Sequence, residues 1–160
     1  MLAFDLSKPV IGKADIEIES SLTKVFDYVA AKFFDNYPKW ALEVIEFEVL
    51  ENKQVEVGAK AKQVRIEQGQ KVESVFEITE YIPGEKLTLE SVTGEFREIY
   101  AFKIGEQPHS TNLTFTFALL HVDFFMRPFE KLIRVAIEEG LQNSLENIRK
   151  LLIEHYGDKS

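Results

Sequence analysis

A chain of 160 residues, 45% hydrophobic, with no cysteine and a formal net charge of −8, is long enough to bury about 70% of its unfolded surface around one core without disulfide or metal. The missing cysteine excludes disulfides, iron–sulfur clusters, thiolate zinc and cysteine nucleophiles. An acidic balance with no run of Lys and Arg argues against nucleic acid as a partner, and the absence of a long apolar stretch or a basic, then apolar, start predicts no stable membrane insertion and a cytoplasmic location.

Residues 14–19 alternate Ala14, Ile16 and Ile18 with Asp15, Glu17 and Glu19, the period of a half-buried strand. Ser20 or Ser21 then offers an N-cap to a short helix in which Leu22, Val25, Phe26 and Val29 recur at helical spacing. A second helical turn is expected over 32–36, ending before Tyr37 because Pro38 disfavours the helical region in the residue ahead of it. Trp40, the single Trp, reads as a core plug at a helix-to-strand junction.

A strand is predicted over 44–50, and from Gly58 onward the chain becomes a run of strands separated by turn signals. Gln68-Gly69 closes a hairpin between strands at 58–67 and 71–82. In the first of these the apolar parity changes from Ala59 and Ala61 to Val64 and Ile66, which predicts a bulge near Lys62 or Gln63. Pro83-Gly84 and Gly94 bracket a strand carrying Leu87, Leu89 and Ser91. Two aromatic strands follow, one with Phe96, Glu98, Tyr100, Phe102 and Ile104 on one parity, the other with Leu113, Phe115, Phe117 and Leu119.

The last third, 128–156, reads as one long helix. At about 100° per residue, Ile133, Ile137, Gly140, Ser144, Ile148 and Leu151 fall on one stripe, flanked by Phe129, Ala136, Leu141, Leu145 and Leu152. Asp123 or a neighbour would cap it and Gly157 would stop it. The stripe thins in its middle, where Gly140 costs about 1 kcal/mol of helix propensity relative to Ala and Ser144 places a hydroxyl. Two explanations compete: close packing at Gly140 with Ser144 bonded to its own helix, or a void beneath the helix. The resulting expectation is an α+β domain over 1–160, with a core of about 13–156: a curved antiparallel sheet of about seven strands wrapped around the C-terminal helix, and two short helices between strands one and two.

That element order, together with Tyr37-Pro38-x-Trp40, Val57-Gly58, Glu80-Tyr81-Ile82-Pro83 followed by Leu87, Thr111-x-Leu113 and the amphipathic tail, resembles the START-like helix-grip (SRPBCC) superfamily. The nearest branch is the one of polyketide cyclase/dehydrase and lipid transport. The resemblance implies a deep apolar cavity between sheet and C-terminal helix, used by different members to carry lipids, quinones, hormones or polyketides, and by some to catalyse cyclisation or dehydration. Fold alone does not choose among these uses.

For this chain the expected cavity wall combines Phe76, Ile78, Phe96, Tyr100, Phe102, Phe115 and Phe117 with Ile133, Ile137, Gly140, Ser144 and Ile148, and Arg65, Gln63 and Glu98 as orienting polar groups. Arg65 and Glu98 could equally face water or pair with each other. Glu98, Tyr100 and His121 are the candidates for acid–base chemistry. The three His lie far apart without a ligating spacing, so neither a metal site nor a cofactor is expected. Phe124, Phe125, Met126 and Phe129 form either a hydrophobic staple at the helix entrance or a surface that contacts lipid or a partner protein. The leading expectation is binding or transport of a small apolar or amphipathic ligand by a monomer or weak dimer. A cyclase or dehydratase and a protein-interaction module using residues 124–129 stand as alternatives.

Overall fold

The computed structural model describes residues 8–51 and 54–157. Seven strands, β1 (Val10–Ile18), β2 (Val44–Leu50), β3 (Lys60–Glu67), β4 (Gln70–Ile82), β5 (Lys86–Ser91), β6 (Phe96–Ile104) and β7 (Thr111–Leu119), form one sheet in the order β1-β7-β6-β5-β4-β3-β2. Every neighbouring pair is antiparallel. Two short helices, α1 (Leu22–Phe26) and α2 (Phe33–Trp40), follow β1, and a long helix α3 (Glu130–Tyr156) ends the described chain. At about 1.5 Å per residue α3 is about 40 Å long; it lies against β1 and β7 and meets α2. The helix-grip expectation is met.

Several local expectations are corrected. The first strand begins at Val10, four residues earlier than its alternation suggests, because pairing with β7 extends to Val10 opposite Leu119. Helix α2 runs through Pro38 to Trp40. A proline inside a helix costs about 3 kcal/mol, but only helical spacing points Phe33, Tyr37 and Trp40 inward together, and all three are buried. Each such burial contributes roughly 1.5–3 kcal/mol, which offsets that cost. A single wide turn over Asp27–Ala31, closed by Lys32 N–H on the Asp27 carbonyl at 2.9 Å, sets the direction of α2.

The bulge predicted in β3 is absent: its register with β4 runs unbroken from Lys60 opposite Glu77 to Glu67 opposite Gln70. Irregularities fall elsewhere, between Val44 and Glu46 in β2 and between Ile78 and Glu80 in β4. The change of apolar parity has a different cause. Ala59, Ala61, Gln63 and Arg65 share one side of an unkinked strand, so its inward face turns polar as it passes beneath the helices.

At the entrance to α3, Phe124–Phe129 form a 3-10 turn with no buried residue, and neither Asp123 nor any other side chain caps the helix. The staple is therefore not formed; Phe125 is 83% exposed. Arg127 instead ties the turn down by donating to Glu130 at 2.7 Å and to the Lys8 carbonyl at 2.6 Å. Helix α3 ends at Gly157, whose N–H bonds the Ile153 carbonyl with φ −66°, so the stop involves no left-handed residue. Among the described residues no helix is long and apolar enough to cross a membrane.

Candidate ligand cavity

The core fills one end of the space enclosed by the sheet and leaves the other open. Phe33, Phe76, Ile78, Leu87, Leu89 and Leu113 are buried together with Leu145, Ile148 and Leu152 of α3. Beyond them lies a cavity of about 900 Å³, open at one side. Its apolar wall consists of Phe115, Phe117 and Leu119 of β7 with Ile133, Ala136, Ile137 and Leu141 of α3. Gly140 and Ser144 also face it, with Asn143 and Asn147 beside them. A Cβ placed on Gly140 would meet nothing within 4 Å. Close helix packing at Gly140 is thereby excluded, and the thin middle of the stripe overlies empty space.

The deep wall is polar and cross-linked. Tyr37 donates to Gln63 Oε1 at 2.8 Å and accepts from Arg65 Nη1 at 3.0 Å, while Arg65 Nη2 donates to Glu43. Gln63 passes the chain on to Ser74 Oγ at 3.2 Å. Trp40 Nε1 donates to the Tyr100 hydroxyl at 3.4 Å, and the Tyr100 ring stacks on Phe115 with centroids 4.2 Å apart. Asn147 holds α3 to α2 by donating to the Trp40 carbonyl at 3.1 Å. These bonds fix the positions of the aromatic rings before any ligand arrives.

Glu98 differs from its neighbours. It is 3% exposed, and its Oε2 has no hydrogen-bond partner. Strand alternation places it on the inward face with Tyr100 and Phe102. Burial raises its pKa to about 7; the Arg65 charge pulls it back and Glu43 pushes it up. Burial, the Glu98 charge and other neighbours likewise hold the Tyr37 and Tyr100 hydroxyls well above the usual phenol range, so both stay protonated. Arg65 loses solvation on burial, but Tyr37, Glu98 and Glu43 more than compensate and its pKa is raised. The cavity thus contains a permanent cation, two hydroxyl groups and a carboxyl group that changes charge near neutrality.

Among the residues expected at the site, Arg65, Glu98, Tyr100, Phe115, Phe117, Ile133, Ile137, Gly140 and Ser144 all line this cavity. Phe76, Ile78 and Phe102 do not; they are packed into the core, as is Ile148. Phe96 stacks on Phe117 at 5.7 Å but does not itself line the cavity. His121 is exposed beyond the end of β7 and does not line the cavity. Arg65 and Glu98 do not bond to each other, since Arg65 donates to Tyr37 and Glu43; Glu98 is buried and Arg65 is partly buried. Sequence reasoning missed Tyr37, Glu43, Asn143 and Asn147, and gave Trp40 only a core role, though it both fills the core and faces the cavity. A signal for Tyr37 and Trp40 existed in their spacing of four and seven from Phe33, and the proline rule concealed it.

The family described as polyketide cyclase/dehydrase and lipid transport matches residues 10–152. No curated protein matches the chain in sequence. Among solved structures, TTHA0849 from Thermus thermophilus superposes with a TM-score of 0.70 at 19% identity, covering 91% of this chain and 98% of that one. The di-domain ARO/CYC protein StfQ of the steffimycin biosynthetic pathway gives 0.72 at 12% identity over 93% of this chain and 52% of its own. A Thalictrum norcoclaurine synthase point mutant in complex with a transition-state analogue gives 0.72 at 13% identity, covering 96% and 98%. At such identities the likeness establishes the fold.

Proposed function

The chain belongs to the polyketide cyclase/dehydrase and lipid transport family, and we propose that it binds one small, largely apolar ligand between α3 and the concave face of the sheet, with the ligand's polar group directed at Glu98, Tyr100 and Arg65. The observation that carries this reading is the cavity itself. Its volume of about 900 Å³ falls among those of ligand sites, roughly 300–1,000 Å³, and it combines an apolar wall with a few convergent polar groups. Burial of the ligand supplies roughly 25 cal/mol per Å² before ordering costs are subtracted.

Trp40 is the single Trp of the chain and faces the cavity, so it reports occupancy directly. Titration with 1-decanol should change its fluorescence saturably. In Gly140→Phe the new ring would enter the empty space beside Gly140, and the change should be lost while circular dichroism is preserved. A flat titration, or equal binding by the plugged variant, would overturn the reading.

A second reading rests on Glu98. A buried carboxyl group with a pKa of about 7 is suited to moving a proton at neutral pH. In a cyclase or dehydratase role its carboxylate would take a proton from carbon next to a substrate carbonyl, with the Tyr100 hydroxyl donating to the carbonyl oxygen. Glu98→Gln should then abolish turnover of a poly-β-ketone substrate and leave binding intact; unchanged turnover would remove Glu98 from such a mechanism.

A further inference from the structure

We propose that the cavity selects an amphiphile carrying a protonated amine, whose ammonium group seats on Glu98 at the buried end, and that it discriminates against carboxylic acids. The inference rests on the binding reading above and adds the charge class of the ligand.

Hydrogen-bond accounting comes first. The guanidinium of Arg65 already donates through Nη1 to Tyr37 and through Nη2 to Glu43, while its buried Nε makes no hydrogen bond and lies 3.6 Å from Glu67 Oε1. An incoming carboxylate would find only that Nε–H, already beside the Glu67 carboxylate, and would have to displace Tyr37 or Glu43 to make a two-point contact with the guanidinium. Glu98 lines the cavity, and its buried Oε2 is an acceptor with nothing donating to it. An unsatisfied buried acceptor costs about 1–3 kcal/mol until a donor reaches it. Glu98 therefore lacks a donor, and a ligand ammonium supplies one together with a charge.

Charge accounting points the same way. The charged groups that face the cavity are Glu43 from the segment after α2, Arg65 and Glu67 from β3, and Glu98 from β6; α2 adds only the Tyr37 hydroxyl, and α3 only Asn143, Ser144 and Asn147. With Glu98 ionised, three carboxylates face one guanidinium. A cation placed there is attracted and an anion repelled, both more strongly than in water because the surroundings are of low dielectric.

The pH dependence has a definite sign. An ammonium group stabilises ionised Glu98, so binding expels the proton that Glu98 holds when its pKa is about 7. Amine affinity must rise with pH up to about that value and level off above it, whereas a bound carboxylate would need Glu98 protonated and would show the reverse slope.

Decylamine, 1-decanol and decanoate differ in their polar ends alone and test the inference through Trp40 fluorescence. At about pH 8 decylamine should bind about tenfold more tightly than decanol, and decanoate more weakly than decanol. Toward about pH 5 the amine's advantage should shrink while decanol binding stays constant. In Glu98→Gln the amine's advantage over decanol and its pH dependence should both vanish. Decanoate binding as tightly as decylamine, or an amine preference that survives Glu98→Gln, would overturn the assignment while leaving the cavity reading intact. Failure of all three probes to bind would overturn both.

Discussion

The two halves of α3 have the same regular backbone and comparable numbers of aliphatic side chains, yet they do different work. In the C-terminal half Leu145, Ile148 and Leu152 are buried in the core. In the N-terminal half Ile133 and Ile137 are only half-buried, and Ala136 and Gly140 are exposed. The difference lies beneath the helix. Under the C-terminal half the side chains of α1 and α2 fill the sheet's concave face; under the N-terminal half stands the polar wall of Tyr37, Arg65 and Glu98 with a void in front of it. The open half is held at one edge, where Gly12 of β1 lies so close to α3 that a Cβ added to it would clash with the Ile137 side chain. One half of the helix thus holds the fold together and the other half bounds a container, which means stability and ligand affinity can be altered separately.

The largest expected effect tests that division. Leu145→Ala, at a fully buried position, should cost about 2–5 kcal/mol in urea unfolding. Ile133→Ala should cost clearly less and yet weaken ligand binding. Equal losses of stability from the two substitutions would erase the distinction between the halves.

The next effect depends on pH. Burial lifts the pKa of Glu98 from its ordinary value of 4.5 to about 7 in the folded chain, so the folded state holds the proton more tightly than the unfolded state does. Native stability therefore falls as pH rises from about 4.5 through about 7 and is level above, on the order of 3 kcal/mol from this group. Glu98→Gln has no group to ionise and should escape that loss. Unfolding free energies of the two proteins should diverge across this window, the variant being the more stable at the alkaline end; parallel pH profiles would show that Glu98 is not buried as described. The smallest effect is expected from Gly140→Ala, whose methyl group meets nothing within 4 Å. It should stabilise the chain by about 1 kcal/mol through helix propensity alone, and destabilisation would restore the close-packing explanation of this glycine.

Much of the site was legible in the chain because strand periodicity is a local property. Glu98, Tyr100 and Phe102 declare their common face by parity, and the thinning of α3 at Gly140 and Ser144 marks the void above which they sit. Two local rules misled. Pro38 suggested the end of a helix that the buried faces of Phe33, Tyr37 and Trp40 hold together. The shifted parity of β3 suggested a bulge, whereas the strand is straight and Gln63 and Arg65 point inward. In each case a contact distant in sequence outweighed a preference of about 3 kcal/mol or less.

The sequence by itself determined the order of elements, the curved antiparallel sheet and the long covering helix, since each follows from a period of 2 or 3.6 residues and the turns that interrupt it. Only the tertiary structure decided which aromatic side chains fill space and which enclose it. Phe76 and Phe115 look alike in sequence; one is sealed behind α2 and the other faces the cavity. Tertiary structure also decided that Arg65 is committed to Tyr37 and Glu43, leaving Glu98 Oε2 without a donor. Periodicity specifies the direction of a side chain relative to its own strand or helix, whereas occupancy of the space in front of it depends on elements brought there from elsewhere in the chain.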